Sequence, residues 1–129
     1  MPTSPWPNFS LAELRCKCGR CGSTGREMDT EFMDKLQRLR TAYGKPMKLS
    51  SAYRCPRHPV EAKKAAAGEH STGKAVDVAI RGPEALRLLQ LALELGFTRI
   101  GVSQKGAARF LHLGTSADGR FPSPALWSY

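Results

Sequence analysis

The chain has 129 residues, with 20 Lys and Arg against 11 Asp and Glu for a net charge of +9. That length suits one domain with a real core, here residues 1–129, and leaves no room for a second. No stretch is apolar enough to span a bilayer, since the best one, ALRLLQLALELGF, is interrupted by Arg87, Gln90 and Glu94.

The positive charge favours anionic partners such as nucleic acid, a membrane surface or a phosphate-rich cell wall. The basic residues are scattered and aromatics are few, so no specific nucleic-acid groove is expected. The start, MPTSPWPNFSLAEL, lacks a basic segment followed by an apolar one. No secretory signal is therefore expected, and synthesis in a cytoplasm is.

In chain order, FSLAEL reads as a short helical turn that runs into a cysteine-rich loop at 16–22. Cys16, Cys18 and Cys21, with Cys55 further on, have the spacing of a tetrathiolate zinc knot, because Cys-x-x-Cys lets two thiolates share one tetrahedral ion. Two disulfides are the alternative in an oxidising compartment; without a signal peptide, reduced thiols on a structural metal are favoured.

Phe32, Met33, Leu36, Leu39 and Tyr43 then recur at helical spacing, with Asp29 or Thr30 to cap the start and Gly44 and Pro46 to stop it. MKLSSAYR reads as extended and CPRHP as a prolyl turn that makes His58 a rigid turn residue. VEAKKAAAG suggests a small helix leading into GEHSTGKAVDV, of which AVDVAI is a strand. GPEALRLLQLALELGF is a helix, with Pro83 in its first turn, leucines on its buried face and Gly96 at its end. RIGVS and RFLHL are two further strands, and the proline-broken tail FPSPALWSY is expected to fold Trp127 back onto the body. The fold class is α+β, a single small domain with a mostly antiparallel sheet backed by helices.

Strand alternation puts Val76, Val78 and Ile80 on the helix-facing side and Asp77, between Ala75 and Ala79, on the other. In RFLHL it puts Leu111 and Leu113 on one face and Phe110 and His112 on the opposite one. Asp77 and His112 then project from one open side, over which His70 can fold back after a turn at Gly73. Two imidazoles and a carboxylate are a three-ligand set that leaves a fourth position for water, as catalytic zinc needs.

Three stretches in this order, SSAYRCPRH, GEHSTGKAVDV and RFLHL, resemble the M15 family of zinc D-Ala-D-Ala carboxypeptidases and related phage endolysins. The segment ALELGFTRIGVSQKG and the terminal WSY look like phage and prophage members, and the zinc-binding domain of hedgehog proteins carries a similar His and Asp motif. The resemblance implies a hedgehog/DD-peptidase-like fold, zinc on His70, Asp77 and His112, and Arg54 as the anchor for a substrate carboxylate, a task that suits a planar guanidinium. Ser51 is placed near the site by the same motif.

Two positions depart from the family pattern. Related peptidases often carry a carboxylate three residues before the last histidine as general base, where this chain has Arg109. Phage-like members tend to read His-[Ile/Leu]-Asp, where this chain reads His112-Leu113-Gly114. The remaining carboxylates able to serve are Glu69, Asp118 and Glu61, with Glu69 and Asp118 preferred.

The resulting expectation is a zinc-dependent peptidase that cuts a peptide bond of bacterial peptidoglycan. Its partners are the peptide stems and anionic wall or outer-membrane polymers, and it acts as a monomer at the cell wall or periplasm, encoded by a phage or prophage. The alternative is a non-catalytic, zinc-containing wall-binding module of the same fold. A zinc-ribbon-like nucleic-acid binder would leave His70, Asp77 and His112 without a role.

Overall fold

The computed structural model describes residues 4–62 and 68–129. Short helix α1, Leu11–Leu14, starts at a capping box in which Ser10 and Glu13 satisfy each other's backbone N–H groups. Helix α2, Thr30–Tyr43, is capped by Asp29, whose carboxylate accepts from the Phe32 N–H at 2.9 Å. It ends at Gly44, which has a left-handed backbone.

Strand β1, Lys48–Ser51, is followed by one turn of helix α3, Pro59–Ala62. The rest of the expected alanine-rich helix, 63–67, lies outside the described residues. A 3₁₀ turn at Glu69–Thr72 leads through Gly73 into strand β2, Ala75–Ala79. Helix α4, Gly82–Glu94, carries its proline in the first turn, and strands β3, Arg99–Ser103, and β4, Phe110–Gly114, follow it.

The tail also forms a strand, β5, Ala125–Ser128. Its two prolines precede the pairing segment, so they only bring the chain to the sheet edge. The sheet order among the described residues is β1-β2-β4-β3-β5, antiparallel except for the parallel pair β3 and β5. The α+β expectation holds, with one more strand than the pattern showed.

Helices α2 and α4 cover one face of this sheet. Phe32, Leu36, Leu39, Val76, Val78, Leu88, Ile100, Leu111 and Leu113 form the core between them, and Phe32 meets Phe97 edge to face at 5.7 Å. The buried stripe of α4 is Ala85, Leu88 and Ala92, while Leu86 and Leu93 lie exposed. The leucines supply the buried face only in part: Leu88 lies in the core and Leu89, Leu91 and Leu95 pack against it, Ala85 and Ala92 share the stripe, and Leu86 and Leu93 fall outside it. No helix among the described residues is long and apolar enough to cross a membrane.

Strand register, more than the core, positions the polar side chains of the opposite face. Ser51, Asp77, His112, Gly101 and Trp127 pair in succession from β1 to β5, so one row across the sheet takes one residue from each strand. A bulge in β1 between Leu49 and Ser51 brings Ser51 into that row.

Candidate metal centre

On the face away from the helices, Asp77 and His112 are direct cross-strand partners. His112 Nδ1 lies 3.2 Å from Asp77 Oδ1. His70 comes from the 3₁₀ turn, where Gly73 reverses the chain into β2, and its Nε2 lies 3.2 Å from the same oxygen. The two imidazoles meet edge to face with ring centroids 4.9 Å apart. The 3₁₀ turn and the Trp127 side chain close in on this face, so the three side chains are buried at the floor of a pocket.

The far nitrogen of each ring is also spoken for. His70 Nδ1 donates to the Ala52 carbonyl at 2.7 Å, and His112 Nε2 donates to Glu69 Oε1 at 2.8 Å. Those acceptors select the tautomers that leave the His70 Nε2 and His112 Nδ1 lone pairs facing Asp77. The three donor atoms lie within 4.8 Å of one another. For zinc with bonds of about 2.0–2.1 Å, tetrahedral donors sit about 3.3 Å apart, close to the two 3.2 Å separations seen here. The donor set and its oriented outer partners fit such an ion.

Glu69 is buried, and both its oxygens are engaged. Oε1 accepts from His112 and from Arg99 Nε at 3.0 Å, and Oε2 accepts from the Ser116 N–H at 3.0 Å. The carboxylate lies directly over Gly114, where a Cβ would land inside it. Glycine at this strand position is therefore what admits Glu69 to His112.

A second close approach occurs at Gly101, where a Cβ would come 2.5 Å from the Trp127 Nε1. Its absence lets the indole settle against His112 at 5.0 Å between ring centroids. The Arg99 guanidinium lies over the same indole at 5.0 Å. No signal in the sequence marked Arg99, Gly101 or Phe121: the first two join the site through pairing across strands, and Phe121 joins it under the Arg99 guanidinium, which lies 5.3 Å from the Phe121 ring centroid. Arg54 contributes from the segment after β1. Its Nη1 and Nη2 lie 3.6 Å from Glu61 Oε2 and Asp77 Oδ2, distances of ion pairs rather than hydrogen bonds.

These groups enclose a cavity of about 480 Å³ lined by Arg54, Glu69, His70, Asp77, His112 and Trp127, among others. A profile of the peptidase M15 family matches residues 7–114, most of the chain. The chain belongs to the peptidase M15 family. The match takes in every candidate ligand of this M15 peptidase and ends before Phe121, Trp127 and Tyr129. No curated protein matches the chain.

The remaining sequence candidates lie elsewhere in the M15 fold. Asp118 is exposed, and its carboxylate accepts from the Arg120 and Phe121 N–H groups of its own turn. Arg109 donates to the Gly106 carbonyl, and Ser51 lines a neighbouring cleft. His58 Nδ1 accepts from the Val60 N–H inside its turn. Glu61 is fully buried behind Arg54 and also accepts from the Gly68 N–H at 2.6 Å. Cys16, Cys18, Cys21 and Cys55 are free thiols gathered within 4.8 Å of one another.

Burial opposes the charge on Asp77, but in the metal-free protein, where N–H groups of His112 and His70 take the place of an ion beside it, their hydrogen bonds outweigh burial and hold the carboxyl well below its ordinary range. Glu69 is lowered in the same way, burial being overcome chiefly by His112. Burial also opposes charge on His112, yet Asp77 and Glu69 raise its pKa. In protein stripped of metal, the His112 contribution to stability is complete below the ordinary imidazole value of 6.5 and is lost as pH rises through the raised one. The carboxylate contributions are complete above ordinary values of 3.8 and 4.5 and are lost as pH falls through the lowered ones. Denaturant midpoints of the metal-free protein should accordingly peak between pH 4.5 and 6.5 and fall on both sides.

Gly114→Ala tests the seat of Glu69. The added methyl displaces the carboxylate from His112, and metal affinity measured against a competing chelator should fall about 10–100-fold.

Proposed function

We propose that this M15 peptidase is a zinc enzyme that hydrolyses a peptide bond of bacterial peptidoglycan. The observation that carries the reading is the convergence of His70 Nε2, His112 Nδ1 and Asp77 Oδ1, each ring held from behind by its own acceptor. Zinc in this set supplies Lewis acidity to a scissile carbonyl and to an attacking water. A second zinc we place at the four thiols, as a structural ion.

The chain's own residues supply the rest. Arg54 lines the cavity, its guanidinium 3.6 Å from Glu61 Oε2 and Asp77 Oδ2, and anchors the carboxylate of a peptide stem by a charge-assisted contact. Glu61, buried behind it, keeps the guanidinium in place. Glu69 fixes the His112 tautomer, and we assign it to orienting that ligand because three donors already occupy its oxygens. The net charge of +9 holds the protein near anionic wall or outer-membrane polymers. Action of a monomer at the cell wall or periplasm, from a phage or prophage gene, completes the proposal.

A specific observation favours a second reading, a wall-binding module. Among the described residues that line the cavity, the only carboxylates are Asp77 and Glu69, and both are engaged.

Incubating the zinc-loaded protein with purified muropeptides and following products by mass spectrometry separates the two. Cleavage lost in His112→Ala supports the peptidase; binding without product, in wild type as in the mutant, supports the module. Glu69→Gln separates orientation from proton transfer. An orienting Glu69 predicts about 10–100-fold weaker zinc binding with kcat nearly restored at saturating zinc. A base would instead cost about 10²–10⁴ in kcat even with zinc saturated.

A further inference from the structure

The four-thiol cluster and the metal centre share one short piece of backbone. Residues 52–55 have no partner strand among the described residues. They nevertheless hold the 3₁₀ turn by three hydrogen bonds. The Ala52 carbonyl accepts from His70 Nδ1 at 2.7 Å, the Arg54 N–H donates to the His70 carbonyl at 3.2 Å, and Ser71 Oγ donates to the Arg54 carbonyl at 2.6 Å. One metal ligand and the carboxylate anchor thus take their positions from a segment that the sheet does not fix.

Cys55 ends that segment. Its thiol lies 3.5 Å from Cys18 Sγ, and its N–H donates to Cys16 Sγ at 3.3 Å. The Arg20 N–H donates to Cys18 Sγ at 3.4 Å, and the Cys16 N–H is held by Ser23 Oγ at 3.0 Å. Backbone N–H groups aimed at sulfur favour thiolates. For zinc–sulfur bonds of about 2.3 Å, a tetrahedral set has sulfurs about 3.8 Å apart, which the cluster approaches and a disulfide of about 2.05 Å does not. Arg15, Lys17 and Arg20 in the loop and Arg57 beyond Cys55 offset the two negative charges such a set would carry.

We propose that the ion held by Cys16, Cys18, Cys21 and Cys55 fixes the 52–55 segment and thereby positions His70 and Arg54 for the metal centre 15 residues further along the chain. The inference rests on the two-zinc reading of the site. The thiol ion touches neither substrate nor the imidazoles; it acts as a positioning site. The Tyr53 N–H also donates to the Leu14 carbonyl at 3.2 Å, so emptying the thiol site loosens the segment rather than detaching it: the Ala52 carbonyl and the Arg54 N–H hold His70 less firmly, and the imidazole site loses affinity.

Cobalt substitution of the full chain, read by absorption, tests this. Thiolate-bound cobalt gives an intense sulfur-to-metal charge-transfer band that imidazole and carboxylate ligands do not. The band is expected in wild type, in His112→Ala and in Arg20→Ser, and lost or much reduced in Cys21→Ser. Zinc affinity of the imidazole site is expected to fall about 10–100-fold in Cys21→Ser and to recover in Cys21→His, which rebuilds a Cys₃His set. Coupling is reciprocal, so cobalt should bind the thiolates more tightly in wild type with the imidazole site filled than in His112→Ala.

That last comparison needs no cysteine variant and decides the matter if Cys21→Ser does not fold. Absence of the band in wild type, or equal thiolate affinity with the imidazole site filled and in His112→Ala, would overturn the proposal. Wild-type imidazole-site affinity in a folded Cys21→Ser would do the same. A metal count unchanged by His112→Ala, with the band intact, would instead defeat the reading of the imidazole site.

Discussion

A buried carboxylate on the middle of a sheet needs compensation, and Asp77 has it from three sides. Two imidazoles share one of its oxygens and the Arg54 guanidinium faces the other. Leaving such a charge unpaired in the interior would cost several kcal/mol, so the surrounding structure must bring the partners to it. The strand register does so for His112, the 3₁₀ turn for His70, and the segment after β1 for Arg54. The helices contribute by packing the opposite face, which sets which side chains of β2 and β4 turn toward the cavity.

The site is built from the centre of the sheet outward by small residues. Gly114 makes room for Glu69 to reach His112, and Gly101 makes room for Trp127 to lie against the same ring. Gly114 stands two residues beyond His112 on the same strand and Gly101 pairs with His112 from β3, so both face His112's side of the sheet, where a larger side chain would occupy the space of a neighbour. His112 is consequently held by Asp77 and Glu69 through its nitrogens and by Trp127 through its face. That degree of constraint suits a metal ligand, whose ring must keep one orientation.

Glu69 changes the meaning of the two departures from the family pattern. With Arg109 and Gly114 where related chains carry carboxylates, the sequence reads as having lost a functional group. In the fold, a carboxylate occupies the space above Gly114, delivered from the turn that also carries His70. Glu69 stands 43 positions from His112 in the chain, so spacing alone offered no way to see what it touches.

What the sequence determined by itself was the part governed by local rules. Two-residue alternation placed Asp77 and His112 on one face, helical periodicity and caps marked α2 and α4, and the spacing of four cysteines marked a set of thiols that the fold brings together. What only the tertiary structure decided was register and roofing. The row from Ser51 to Trp127, the seat of Glu69 over Gly114, the stacking of Arg99 on Trp127 and the parallel tail strand all depend on pairings between distant segments. Alternation can say which face a side chain takes, because the pleat repeats every two residues. Which residue stands opposite it is set by the partner strand, and that lies elsewhere in the chain.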